Sequence, residues 1–295
     1  MSEDIKQYFF DFLNKKSKFI LVEEQNVAVH QYKNLKSTHL KRKIRFDVYL
    51  PPAYEVGSKQ YPVLFFNDGQ DMKGVQLAKT LNDLYKNEKI QQLIIVGIHA
   101  ADRIQEYGVE RQADYQGRGS KAWAYSKFLL GEMRPYIMNH YRCKNGAQHQ
   151  GIAGFSLGGL SAIDIAWNHG DVFSKVGVFS GALWWRYKAF SQQNPDGHRL
   201  MHEIVAKGVK KAGMKFWFQT GTKDEKSDRN NNGIIDSIDD TLDLIEELTN
   251  VGYDREKDIH YYEIVGGHHN QHTWGVAMPE FLIWAFGKQE AFAEL

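Results

Sequence analysis

A chain of 295 residues has room for one large α/β domain or two small ones, and 42% hydrophobic with 25% charged residues is the balance of an ordinary folded protein. With 37 basic against 36 acidic side chains, a formal charge of +1, nothing in the balance draws it to nucleic acid or to an anionic membrane. A single cysteine, Cys143, excludes an intrachain disulfide, and no apolar stretch reaches membrane-spanning length. The first residues, Met1 to Lys6, are polar and acidic, and the Tyr8 to Leu13 patch is too short for a signal sequence. A cytoplasmic protein is the expectation.

In chain order, residues 1–60 read as a short helix followed by β structure, in which the alternation Arg45 to Leu50 is stopped by Pro51 and Pro52. The runs Pro62 to Phe66 and Leu93 to Ile98 are continuously apolar, the pattern of strands covered on both faces, and Val75 to Tyr85 between them has helical spacing. Ala122 to Tyr141 is a long amphipathic segment. It leads to an apolar run ending at Ile152 and Ala153, with helical spacing resuming over Leu160 to Asn168. Strands at Val176 to Phe179, Phe216 to Gln219 and Tyr261 to Val265 then alternate with helices at Thr241 to Leu248 and Phe281 to Phe286. Repeated strand and helix predict an α/β fold: a mostly parallel central sheet, antiparallel strands at its N-terminal side, and helices on both faces. Without repeats, low-complexity runs or linkers, residues 1–295 read as one domain.

The pentapeptide Gly154-Phe155-Ser156-Leu157-Gly158 lies between the apolar run and the helix. A sharp strand-to-helix turn holds a serine proud of the sheet and leaves space only for small residues two positions to either side. The helix behind it aims its first amides at developing negative charge. Ser156 is therefore the candidate nucleophile, with the Leu157 amide as one oxyanion donor. A serine hydroxyl needs a base, and the base needs a carboxylate to hold its tautomer. Where a turn of this kind carries the nucleophile, the order along the chain is Ser, acid, His. Of twelve histidines, His268, His269 and His272 cluster after the last strand, behind Gly266 and Gly267, which let the loop turn back over the strand ends. Asp224 and Glu225 follow the preceding strand as candidate acids, Asp224 first. The turn Asn67 to Asp71 offers the amide of Gln70 as the second oxyanion donor, with Asp68 bracing it.

These segments resemble the esterase D and enterochelin-esterase-like family of α/β-hydrolases, to which feruloyl esterases and S-formylglutathione hydrolases are related. The resemblance covers about Ser37 to Phe286, leaving residues 1–36 as an extension. It rests on Val48 to Tyr54 (Val-Tyr-Leu-Pro-Pro-Ala-Tyr), Tyr61 to Leu64 with Asp68-Gly69-Gln70, and Gly154 to Gly159. It implies the α/β-hydrolase fold and hydrolysis of a small-molecule carboxylic ester through an acyl-enzyme, without an organic cofactor. The family's base stands five residues before a tryptophan, which favours His269 before Trp274, whereas the family's direct Gly-Gly-His succession would select His268. Its acid stands three residues after a strand-terminal glycine, as Asp224 does after Gly221. Ser180 to Trp185 resembles its pocket-lining segment. An acyltransferase or a non-catalytic ligand-binding homologue would carry the same signature.

Asp228, Asn230, Asn232, Ile234, Asp236 and Asp239 match the spacing of a calcium-binding loop, with Gly233 at its sixth position, and imply a structural Ca²⁺ ordering the loop that carries Asp224. The alternative is a set of Asx turns capping the next helix. Arg103 and Tyr107, on a loop at the same sheet edge as Ser156, are candidate substrate contacts, as is the aromatic pair Trp184 and Trp185. Oligomeric state leaves no mark in the sequence.

Overall fold

A computed structural model describes residues 26–288; the short helix expected ahead of the first strand lies outside them. Eight strands form a single sheet: β1 (Ala28–Ser37), β2 (Arg42–Leu50), β3 (Val63–Asn67), β4 (Ile94–Ile98), β5 (Gln150–Phe155), β6 (Lys175–Phe179), β7 (Lys215–Lys223) and β8 (Ile259–His268). Their order is β1-β2-β4-β3-β5-β6-β7-β8. The pairs β1–β2 and β2–β4 are antiparallel, and every pair from β4 to β8 is parallel. Parallel strands put all their carboxyl ends on one edge, which is where the loops carrying Gln70, Ser156, Asp224 and His269 emerge.

The apolar runs become central strands because alternate residues serve opposite faces. Val63 and Phe65 join one core and Leu64 and Phe66 the other, as Phe216 and Phe218 part from Trp217. Helices α1 (Leu77–Lys86) and α8 (Gln271–Phe286) cover the second face. The first is covered by α3 (Ala122–Phe128), α4 (Arg134–His140), α5 (Leu157–Asn168), α6 (Leu200–Ala206) and α7 (Asp236–Asn250), while the short α2 (Arg103–Glu106) lies at the active edge.

Several elements differ from expectation for identifiable reasons. The segment Ala122 to Tyr141 is not one regular helix, because Pro135 lacks an amide hydrogen and crowds the preceding turn; a wide π turn, Leu129–Met133, joins α3 to α4. Helix α8 starts ten residues before the apolar cluster at Phe281, carrying Gly275 and Pro279 inside it, and α6 was not anticipated.

Candidate active site

Ser156 stands between β5 and α5 at φ 54°, ψ −118°. Such a conformation costs a non-glycine residue about 1–3 kcal/mol and persists only where the surroundings over-determine it. Here they do. The Ser156 amide donates to Phe179 O at 2.8 Å, and its carbonyl accepts from the amides of Gly159, Leu160 and Ala182 at 3.0–3.1 Å. A Cβ on Gly154 would fall 2.3 Å from Gly158 O, so strand and helix meet only through glycine. From Gln150 to Trp167 every residue is buried except Ser156.

The neighbouring turn is fastened to the same elbow. Asn67 Nδ2 donates to Gly158 O at 2.8 Å, and Tyr125 Oη holds Asn67 Oδ1 at 2.6 Å. A Cβ on Gly158 would sit 2.4 Å from Asp68 Oδ2, and one on Gly69 would strike the Gly97 carbonyl of β4. Asp68, wholly buried at φ 62°, pairs with Arg103 at 2.8 Å. Gln70 Nε2 donates to Asp68 Oδ1 at 2.9 Å and Gln70 Oε1 accepts from the Ala100 amide at 3.2 Å, fixing the residue at both ends. Neither the Gln70 nor the Leu157 amide donates to another backbone group among the described residues.

Asp224 follows β7, its amide donating to Gly221 O at 3.0 Å. Gly221 again permits a close approach, since a Cβ there would lie 2.4 Å from Gly267 O and 2.8 Å from Asp224 Oδ1. The acid loop is thereby laid against the loop bearing the histidines. Both Asp224 oxygens are shielded from solvent without a hydrogen bond of ordinary geometry. Burial raises the carboxyl above its usual range, opposed by the nearby Ser180 hydroxyl, the Gly221 backbone and then His269. Glu225 instead lies near Asp236 and Asp240, and burial with their like charge raises its proton affinity.

His269 is crowded by protein on its inner side and open to solvent on its outer one. Burial pulls its pKa down, Asp224 pulls it up and Arg103 pulls it down again, with a net lowering. Its ring meets Trp274 edge to face at 5.3 Å, Trp274 stacks on Phe155 at 4.7 Å, and Trp274 Nε1 donates to Ser180 Oγ at 3.0 Å. One indole thus links His269, Asp224's neighbour Ser180 and the residue preceding Ser156. The His268 side chain is exposed, and its amide caps onto Thr273 Oγ1 at 2.9 Å. His272 is exposed in the first turn of α8.

A family described as "Putative esterase" matches residues 37–285. The chain belongs to this esterase family. Its sheet and helices are those of the α/β-hydrolase fold. Uncharacterized protein YbbA of Bacillus subtilis (strain 168) is 27% identical over 157 residues, 52% of this chain and 62% of that protein, so the match spans less than two thirds of this relative's length. A solved ferulic acid esterase superposes with a TM-score of 0.68 at 19% identity, covering 88% of this chain and 98% of that one. The enterobactin esterase FES from Shigella flexneri gives 0.66 at 18% identity, over 88% and 58% of the two chains. At such identities the likeness is one of fold.

In this chain two expected substrate contacts turn inward. Tyr107 is fully buried, its hydroxyl accepting from the Asp68 amide at 2.9 Å and its ring set edge to face on Tyr125. Trp185 is also fully buried, wedged against Gly108 and Gly119 where the 103–119 crossing passes beneath it. Arg103 has its guanidinium committed to Asp68 and to Phe155 O. Trp184 alone of the four offers a ring to solvent free of such ties, at 37% exposure, with the Arg118 guanidinium 5.0 Å from its centroid. Sequence reasoning missed Asn67 and the bracing role of Ser180, whose φ of 43° no motif announces.

The calcium-like loop is wired differently from a cation cage. Asp228 accepts from the amides of Asn232 and Gly233 at 3.1 and 2.9 Å, and Asn232 Oδ1 accepts from Ile234 at 2.8 Å. Asn230 and Asn232 turn their Nδ2 donors, not their oxygens, toward Asp239 Oδ2, at 2.8 and 2.9 Å. Arg229 reaches Asp196, Asp236 and Asp240 from inside the loop and supplies the positive charge itself. As arranged, these donors do not fit calcium, and no group of three or more His, Cys, Asp or Glu side chains among the described residues could hold a metal ion. The expected calcium is thus left unsupported, and the spacing is met here by the alternative, Asx turns. Among the described residues no helix is long and apolar enough to cross a membrane.

Proposed function

We propose that the chain cleaves a carboxylic ester through an acyl-enzyme on Ser156. In this reading His269 takes the Ser156 proton and returns it to the departing alcohol, Asp224 holds the imidazole and stabilises the imidazolium, and the amides of Leu157 and Gln70 receive the oxyanion. Water then repeats the sequence on the acyl-enzyme. The observation that carries the proposal is the strained, solvent-open Ser156 in an otherwise buried segment, followed by the Leu157 amide, which donates to no backbone group among the described residues. His269 is preferred over His268 because it touches Trp274 and interacts with Asp224 more strongly. The chemistry needs no organic cofactor, and the Asp228 loop enters it only as a brace.

For the substrate we favour a small ester bearing a ring. Trp184 stands on the turn whose Ala182 amide binds Ser156 O, and together with Tyr115, Phe190, Arg186, Ser227 and Asp228 it lines a cleft of about 470 Å³. Exposed aromatic faces beside polar groups suit stacking on a ring. The solved relatives named for ferulic acid and enterobactin agree with that class. The test is hydrolysis of p-nitrophenyl esters, with labelling by a fluorophosphonate. Wild type should turn over and label, while Ser156→Ala should do neither, with a loss on the order of 10⁴-fold or more and an unchanged circular dichroism spectrum. Turnover or labelling that survives in Ser156→Ala overturns the assignment.

A further inference from the structure

Asp68 poses an electrostatic problem. Its carboxylate is fully buried and packed on Gly158, beside the place where the proposed mechanism develops negative charge. An uncompensated anion there would raise the barrier that the oxyanion amides lower. The Arg103 guanidinium answers it with three directed bonds: Nε to Asp68 Oδ1 at 2.8 Å, Nη2 to Asp68 Oδ2 at 3.0 Å, and Nη2 to Phe155 O at 2.9 Å. The first two grip the turn that carries Gln70. The third grips the residue immediately before Ser156. One rigid fork therefore spans the two loops from which the two oxyanion amides come, a span that a lysine, as a point charge on a flexible stem, does not reproduce.

The fork is itself well anchored. Helix α2, which carries it, is tied by Glu106 to Arg42 of β2 at 2.6 Å, and by the Gly119 and Lys121 amides to the carbonyls of Ile104 and Gln105 at 3.0 and 2.8 Å. The Tyr107 ring lies 5.6 Å below the guanidinium, and its hydroxyl takes the Asp68 amide. All of this geometry serves a loop pair that Asn67 also ties directly to Gly158.

We infer that Arg103 is a positioning residue, a guanidinium clamp that sets the Gln70 amide against the Leu157 amide and neutralises Asp68 beside the oxyanion. The inference rests on the Ser156 mechanism proposed above. A clamp of this kind acts on the transition state and not on ground-state binding, so its loss belongs in kcat.

The experiment uses the full chain and p-nitrophenyl acetate, comparing wild type, Ser156→Ala, Arg103→Ala, Arg103→Lys, Asp68→Asn and the Arg103→Ala/Asp68→Asn double variant. Arg103→Ala should lose on the order of 100-fold in kcat, the scale of one lost oxyanion donor. KM should stay within about twofold of wild type. Affinity for a boronic acid that mimics the tetrahedral adduct should fall in parallel, millimolar guanidinium should restore part of kcat, and Arg103→Lys should stay impaired. The double variant, which has no buried anion left to neutralise, should lose less than the sum of the two single losses. A raised KM at constant kcat would make Arg103 a substrate contact and overturn the clamp, as would unchanged kinetics, or a loss that only tracks the folded fraction by circular dichroism. If Ser156→Ala turns over like wild type, the mechanism and the clamp fall together. If Ser156→Ala is dead and Arg103→Ala is normal, only the clamp falls.

Discussion

Between Gln150 and Trp167 every residue but Ser156 is buried, whereas between Val265 and His272 every residue but Gly267 is exposed. The two stretches carry the proposed nucleophile and base, and they are held by opposite means. Ser156 is placed by packing: glycines in van der Waals conflict with any side chain, a backbone bonded on both sides, and a strained dihedral pair. His269 is placed by a few directed contacts. The Gly266 amide reaches Thr222 Oγ1 at 2.8 Å, Asn270 Oδ1 caps Thr273 at 3.0 Å, and the Trp274 edge backs the imidazole. A nucleophile must hold one position through both half-reactions, whereas a base exchanges a proton with two partners and benefits from a hinge. Packing suits the first demand and directed contacts the second.

The sharpest way to break this comparison is at the base. His269→Ala should approach the loss seen without Ser156, on the order of 10⁴-fold in kcat, since members of one relay fail together. His268→Ala should stay within a few-fold, because its amide, which the substitution keeps, makes the structural bond, and its ring bears less on Asp224 than that of His269. Reversed outcomes in p-nitrophenyl ester kinetics would hand the base to His268. The packed end breaks differently. Gly158→Ala places a methyl 2.4 Å from Asp68 Oδ2 and 3.0 Å from Asn67 Cβ. It should cost about 1–3 kcal/mol of stability and, by spreading the two oxyanion loops, lower kcat more than the stability loss explains. A thermal melt paired with kinetics on the folded fraction measures both, and an Ala variant with native kcat would show that the elbow tolerates slack.

How far the sequence foretold this contrast follows from the same division. Whatever packing dictates left a pattern: continuous apolar runs for β3 and β4, glycine on both sides of Ser156, and Gly221 ahead of Asp224. Whatever depends on how loops cross did not. Tyr107 and Trp185 have the composition of a substrate-facing rim, yet the 103–119 segment folds under and uses them as core. Helix α8 hid behind Gly275 and Pro279, which break its periodicity without breaking its helix. The Asp228 motif counted oxygens at the right spacing but could not tell that two amides turn their nitrogens inward, nor that Arg229 at its second position would compensate the charge. The pairing of Asp68 with Arg103 was equally silent, as the two residues meet only after β4 brings them to one edge.

The base also makes a pH prediction of smaller size. His269 accepts a proton only when neutral, so activity falls as pH drops through its pKa. Burial lowers that pKa, Asp224 raises it and Arg103 lowers it, with the net effect downward. The acid limb of kcat/KM should therefore lie below the ordinary histidine value of about 6.5. Asp224→Asn removes the one contribution that favours imidazolium. Along with its lower plateau, it should move the limb further toward acid. A limb that rises in Asp224→Asn would mean that Asp224 does not face His269.

The smallest effect expected is that of calcium, and it separates two ways of bracing an acid loop. If the Asp228 loop is held by its own amides and by Arg229, neither excess Ca²⁺ nor a chelator should move the thermal midpoint or kcat, because the cation's charge is already supplied by the guanidinium among Asp196, Asp236 and Asp240. For calcium to bind, Asn230 and Asn232 would have to present oxygens where they now present donors to Asp239, giving up those two bonds for ligation. A midpoint raised by Ca²⁺ and restored by chelator would show that exchange to be favourable. The acid loop would then belong with the base loop, held by reversible contacts, and not with the elbow.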